Sequence, residues 1–219
     1  MSSRPLPAVD NSCIREEAFD PFQELLQNPE VRSLTLRKID LRTLTPFQRT
    51  LLAIDGTVTK YLETYTLEPI EVVRLRQETQ ILRDPHAWLE TPPETEVLAR
   101  EVLLRGAYSA TVYAYAVSLL VPARLPEALL QSLEEEPGGI GRALLGSRIE
   151  NRRELLWYGR EQASRLPEDI RALTGDDFLS RAYCIIVGGR PVMLINEKFP
   201  VHVDGHGGRP FGASGEDRA

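Results

Sequence analysis

The chain has 219 residues, 42% hydrophobic and 26% charged, the balance of a globular protein with room for one sizeable core. Its 26 basic and 32 acidic residues leave a net charge of −6, the wrong sign for gripping nucleic acid or an anionic membrane. No apolar run reaches the roughly 18 residues of a membrane span, and the first ten residues lack the apolar centre of a signal peptide. Cys13 and Cys184 stand 171 positions apart. That spacing excludes a disulfide scaffold or a clustered metal or redox motif, and it points to a reducing, cytoplasmic setting.

Residues 1–18 are polar, carry Pro5 and Pro7 and show no periodicity, which predicts a flexible arm. A single domain is expected over 19–203, and a disordered Gly-rich tail over 204–219. Within the domain, Asp20-Pro21 before FQELLQN signals an N-cap, a first-turn proline and a short helix. Thr45-Pro46 before FQRTLLAID repeats the signal, with Phe47, Leu51 and Ile54 on one apolar face. Gly56 interrupts, and TVTKYLETY resumes as a second helix.

Strands follow. Residues 69–77 are rich in β-branched side chains. Residues 96–105 and 109–122 flank Gly106-Ala107-Tyr108 as a hairpin. A helix is expected over 126–135, then a Gly-rich turn at 138–142 that opens another short helix. Residues 148–158 suit either a helix or a strand. Residues 180–187 and 191–199 are strands about Gly188-Gly189-Arg190, a turn suited to the positive φ of primed hairpins. Hairpin-joined strands with helices grouped elsewhere predict an α+β fold on an antiparallel sheet. There is no Walker A sequence and no GxGxxG after a strand.

Alternation along a strand sorts side chains by face. In 191–199, Met193, Ile195, Glu197 and Phe199 share one face, while Lys198 can point outward. Glu197 is then either a strand-end carboxylate in solvent or a buried one poised for acid–base work. In 96–105, Arg100 is the one cation in a row with Leu98, Val102 and Leu104. It is either a structural or snorkelling arginine, or a planar guanidinium held for a carboxylate ligand. Arg74 and Arg76 fall on one face of 69–77, as a solvated face or a basic rim for an anionic substrate. The GGIGR turn can present free N–H groups at a helix start, or be a plain turn. His202, Asp204 and His206 have metal-binding residue types, but the glycines around them provide no rigid scaffold, so no metal is expected. Cys184 alternates with Ala182 and Ile186 as a small buried residue. Tyr108, Tyr113 and Tyr115 are packing residues.

Taken in order, LTPFQRTLLAIDGTVTKYLE (44–63), AREVLLR (99–105), GGIGRALLGSRIENRRE (138–154) and SRAYCIIVGGRPVMLINEKFP (180–200) carry a family resemblance. Together they resemble the chorismate pyruvate-lyases, of the branch found in cyanobacteria, plastids and some actinobacteria. The resemblance implies one antiparallel sheet with helices packed on it and an internal site under flaps. It implies conversion of chorismate to 4-hydroxybenzoate and pyruvate without metal or cofactor, for a quinone head group such as plastoquinone. It also implies that Arg100 grips the product carboxylate, that Glu197 bonds the ring hydroxyl, and that the backbone of Ile140, followed by Gly141 and Arg142, contacts the carboxylate. A second arginine of the enterobacterial branch is replaced here by Val117 or Ser118. Arg76 or Arg142 is therefore expected to hold the enolpyruvyl carboxylate. Two other readings stay open. One is a non-catalytic effector-binding module of the same fold, which should carry a DNA-binding helix-turn-helix for which the arm is too short. The other is a relative acting on a different enolpyruvyl acid.

Overall fold

The computed structural model describes residues 36–135, 139–162 and 166–203. The arm, the helix after Asp20-Pro21, Cys13, Gly138 and the tail with Asp204 and His206 lie outside the described residues. No helix among the described residues is long and apolar enough to cross a membrane.

Helix α1 spans Pro46–Ala53. Thr45 Oγ1 accepts the Gln48 N–H and Gln48 Oε1 accepts the Thr45 N–H, a reciprocal capping box behind a first-turn proline. Its inner face buries Phe47, Leu51 and Leu52, each contributing about 1.5–3 kcal/mol of apolar transfer. Helix α2, Val58–Thr66, follows directly.

Six strands form one antiparallel sheet: β1 (Ile70–Ile81), β2 (Glu96–Gly106), β3 (Val112–Leu120), β4 (Arg152–Gln162), β5 (Asp177–Val187) and β6 (Arg190–Pro200). Their spatial order is β1-β2-β3-β6-β5-β4. Two three-strand units thus meet at the β3–β6 pair. Gly188 and Gly189 make the β5–β6 turn with φ of 56° and 78°, where side chains with a Cβ are disfavoured.

Helices α3 (Glu127–Glu135) and α4 (Ile140–Ser147) connect the two units. They pack with Leu120, Ile185, Met193 and Ile195 on the sheet face that α1 and α2 also cover, through Leu104, Ala114 and Phe199. The opposite face carries α5, Glu168–Thr174, whose Ile170 joins Leu103, Tyr115 and Phe178. The α+β expectation holds.

Two details differ from the sequence expectation. Of segment 148–158, open between helix and strand, residues 152–158 fall in β4, with a register shift between Leu155 and Trp157. The inserted residue breaks the alternation that identifies a strand. In β1, a shift between Arg74 and Arg76 leaves Leu75 as an extra residue. Arg74 and Arg76 therefore lie on opposite faces, not on one.

Candidate active site

Between the α1–α2 side and the α3–α4 side, the sheet face stays open as the floor of a cavity. The roof comes from residues 56–59 at the start of α2 and residues 139–141 at the start of α4. The space measures about 600 Å³ with its mouth and the adjoining open solvent included. Gly141 lets the two roof segments touch: a Cβ there would stand 2.4 Å from Thr57 Cγ2.

The floor follows from register. Arg100 on β2 lies opposite Ser118 on β3, which lies opposite Ile195 on β6. One pair along, Val102, Ala116 and Glu197 line up, and Arg181 on β5 faces Glu197. Opposed residues in an antiparallel sheet point to the same face. Small Ala116 and Ser118 leave the space above β3 free between the two charged residues.

Arg100 is 4% exposed. Its Nε donates to Gln77 Oε1 at 2.8 Å, and it has no ion-pair partner among the described residues. Burial, and then the Arg74 charge, pull its pKa below the usual arginine range. Such a buried cation favours an anionic guest. Glu197 is 7% exposed, which removes the solvent-exposed alternative. Its Oε2 accepts Arg181 Nε at 2.8 Å and its Oε1 accepts the Tyr183 hydroxyl at 3.1 Å. Burial, and then the Glu197 charge, raise the Tyr183 pKa, so the phenol remains a donor at neutral pH. The result is a mostly apolar cavity with a cation at one end. At the other end, two strand spacings of about 5 Å away, sits a doubly anchored carboxylate. The arrangement suits a small acid whose carboxylate meets Arg100 and whose far end offers a hydrogen-bond donor to Glu197.

Ile140 and Gly141 join Arg100 and Glu197 around the cavity. As the first residues of α4, their N–H groups have no partner within the helix. The other two expected cations do not join them. Arg142 turns outward, 3.6 Å from Glu63 on α2. Arg76 lies on the far face, 2.6 Å from Glu78 and 3.8 Å from Glu101. Three residues of the C-terminal unit reach the site unforeseen: Arg153, Arg181 and Tyr183. For Arg181 the signal was present, since Leu179, Arg181, Tyr183 and Ile185 form the same kind of row, one cation among apolar groups, that marks Arg100. For Arg153 it was hidden by the irregular β4.

Several other expectations resolve away from the site. Lys198 is not in solvent; it is mostly buried in an ion pair with Glu161. Cys184 is buried, its Sγ donating a hydrogen bond to the Trp88 carbonyl at 3.2 Å, and burial pushes its thiol up to about 12. Tyr113 and Tyr115 are packed, but Tyr108 is 73% exposed at the hairpin tip. His202 is exposed.

A family described as "Chorismate pyruvate-lyase Rv2949c-like" matches residues 52–205. The chain is 31% identical to a chorismate pyruvate-lyase of Mycobacterium leprae over 175 residues, covering 75% of this chain and 79% of that one. It is 28% identical to the Mycobacterium tuberculosis chorismate pyruvate-lyase, covering 73% and 82%. Among solved structures, the effector domain of PhnF from Mycobacterium smegmatis superposes with a TM-score of 0.51 at 10% identity, covering 66% of this chain and 88% of that one. At that identity the likeness concerns the fold alone.

Proposed function

The chain belongs to the chorismate pyruvate-lyase Rv2949c-like family, and from that premise we propose that it converts chorismate to 4-hydroxybenzoate and pyruvate. The observation that carries the reading is Arg100, buried in the cavity without a carboxylate partner among the described residues, across the floor from Glu197.

Chorismate is a dianion. Its ring carries a carboxylate, a hydroxyl opposite it, and an enolpyruvyl ether on the carbon next to the hydroxyl. The hydrogen on the hydroxyl-bearing carbon leaves as a proton, and its electron pair forms the new ring double bond. The ring carbon–oxygen ether bond breaks toward the enolpyruvyl oxygen, and a proton returned to the methylene carbon yields pyruvate. Aromatisation supplies the driving force, so the protein's task is to position the substrate.

Arg100 holds the ring carboxylate with its free guanidinium edge, aided by the backbone N–H of Ile140 or Gly141. Glu197 accepts the ring hydroxyl and stands near the carbon that loses its proton, as a base or as an orienting acceptor. Arg181 and Tyr183 hold the Glu197 carboxylate in place and are positioning residues. The product suits a quinone head-group precursor, and we extend the proposal to that use.

Incubation with chorismate, followed by the absorbance of 4-hydroxybenzoate, tests the reading. Turnover is expected. Arg100→Ala should weaken 4-hydroxybenzoate binding on the order of 10- to 100-fold, from the lost charge-assisted hydrogen bonds. A folded protein that leaves chorismate untouched is not a lyase for it; tight 4-hydroxybenzoate binding without turnover would mark a ligand-sensing module instead.

A further inference from the structure

A second, smaller cavity of about 410 Å³, its mouth included, adjoins the first. Arg153 and Tyr183 belong to the walls of both. The smaller one is also bounded by Arg181 and by residues 52–55 at the end of α1. It contains a concentration of unmet donors. Arg153 Nε is buried with no hydrogen-bond partner, and so is Arg181 Nη2.

The two arginines are held differently. Arg181 is 2% exposed. Its Nε is committed to Glu197, and its Nη1 to the Ile54 carbonyl at 2.7 Å and the Leu52 carbonyl at 3.4 Å. Arg153 has only a long contact: its Nη1 lies 3.9 Å from Oδ1 of Asp55, whose side chain is 78% exposed. The Arg153 side chain itself is 17% exposed, and its guanidinium carbon is 6.0 Å from the Tyr183 ring centre. A mostly buried guanidinium with an unpaired N–H and no close carboxylate carries an unmet desolvation cost that an anion would relieve.

We infer that Arg153 binds the enolpyruvyl carboxylate of the substrate, with the side arm lying toward the smaller cavity. The inference rests on the lyase reading above. The sheet places the parts in the right order. Arg100 is on β2, Glu197 is two strands along on β6, and Arg153 is two strands further on β4. A ring with its carboxylate at Arg100 and its hydroxyl at Glu197 directs the ether next to that hydroxyl toward the β5–β4 side. Arg153 is opposite Ile185, so it shares the cavity face. Arg76 and Arg142, the other candidates for this carboxylate, point away from the cavity.

4-Hydroxybenzoate lacks the second carboxylate, so the two ligands separate the roles. With the full chain, Arg153→Gln should lower kcat/KM for chorismate on the order of 10- to 100-fold, mainly through KM. Its equilibrium binding of 4-hydroxybenzoate should stay close to wild type. Arg153→Lys keeps the charge but loses the planar fork, and should fall between the two. Unchanged kcat/KM in Arg153→Gln, with an active wild type, overturns the assignment and leaves the lyase reading intact. A parallel loss of 4-hydroxybenzoate binding in both variants shows a role in the fold and also overturns it. An inactive wild type overturns the lyase reading itself, and this assignment with it.

Discussion

Arg181 and Glu197 form a buried ion pair in which each side chain has further partners: the Leu52 and Ile54 carbonyls at the end of α1 for the arginine, the Tyr183 hydroxyl for the carboxylate. Buried charges tolerate this only while both are present. Arg181→Met should therefore lower the unfolding free energy by about 3–5 kcal/mol. Adding Glu197→Leu should recover most of the loss, because no orphaned carboxylate remains. Urea unfolding of the two single variants and the double completes the cycle. If the double variant shows the sum of the single losses, the pair is not coupled. Arg100 differs in kind. It is about as buried but has a neutral partner, Gln77, and no ion-pair partner among the described residues. Sequence alternation found both Arg100 and Glu197 as charged members of apolar rows. It could not tell a paired charge from an unpaired one, since that depends on what a neighbouring strand brings opposite.

At the scale of elements, the site depends on two helix starts meeting over the sheet. Thr57, before α2, and Gly141, in the first turn of α4, are in such close approach that a methyl at 141 would meet Thr57 Cγ2 at 2.4 Å and its Cβ at 3.2 Å. Rotation of Thr57 leaves the Cβ contact, so the two roof segments must separate by a few tenths of an ångström. Gly141→Ala should weaken 4-hydroxybenzoate binding several-fold and speed its release, although alanine is the better helix former by about 1 kcal/mol. Adding Thr57→Ala should restore most of the affinity. Titration calorimetry and stopped-flow release measure both effects; unaltered affinity in the single variant would mean the roof does not seal the cavity. The elements themselves were unevenly legible. The Thr45-Pro46 cap and the Gly188-Gly189 turn are local chemistry and were readable. Helix α5 was not, since it has seven residues and Ile170 is the only large apolar side chain among its buried ones, too little for a periodic signal. The shifts in β1 and β4 were also unreadable, because a bulge is defined by the partner strand.

At the scale of the molecule, a net charge of −6 coexists with Arg100, Arg153 and Arg181 gathered about two adjoining cavities. An average charge disfavours broad polyanionic partners but says nothing about a pocket for one small dianion. Acid stability is also a property of the whole. Glu68, just before β1, clamps the β2–β3 hairpin: it accepts the N–H groups of Tyr108 and Ser109 and the hydroxyls of Ser109 and Tyr113. Burial raises its pKa, but the hydrogen bonds from Ser109, Tyr113 and Tyr108 outweigh it, and the net shift is downward from 4.5. A carboxyl with a lower pKa in the folded state stabilises the fold above its unfolded pKa. That contribution is lost as pH falls through the folded value. Glu68→Gln should thus be less stable than wild type at pH 7, with the gap shrinking as pH drops below about 4. Urea unfolding across that range checks it, and a gap independent of pH would exclude the ionised form as the source.

The sequence by itself determined the α+β antiparallel class, the capped helix α1, the hairpins and the pair Arg100 and Glu197. These follow from interactions within a few residues, or from a strict two-residue alternation. Only the tertiary structure decided that Arg76 and Arg142 leave the cavity, that Arg153 and Tyr183 line it, and that Arg181 backs Glu197 from the adjoining one. Which face an irregular strand presents, and which charges meet across a sheet, depend on hydrogen-bond register between strands far apart in the chain.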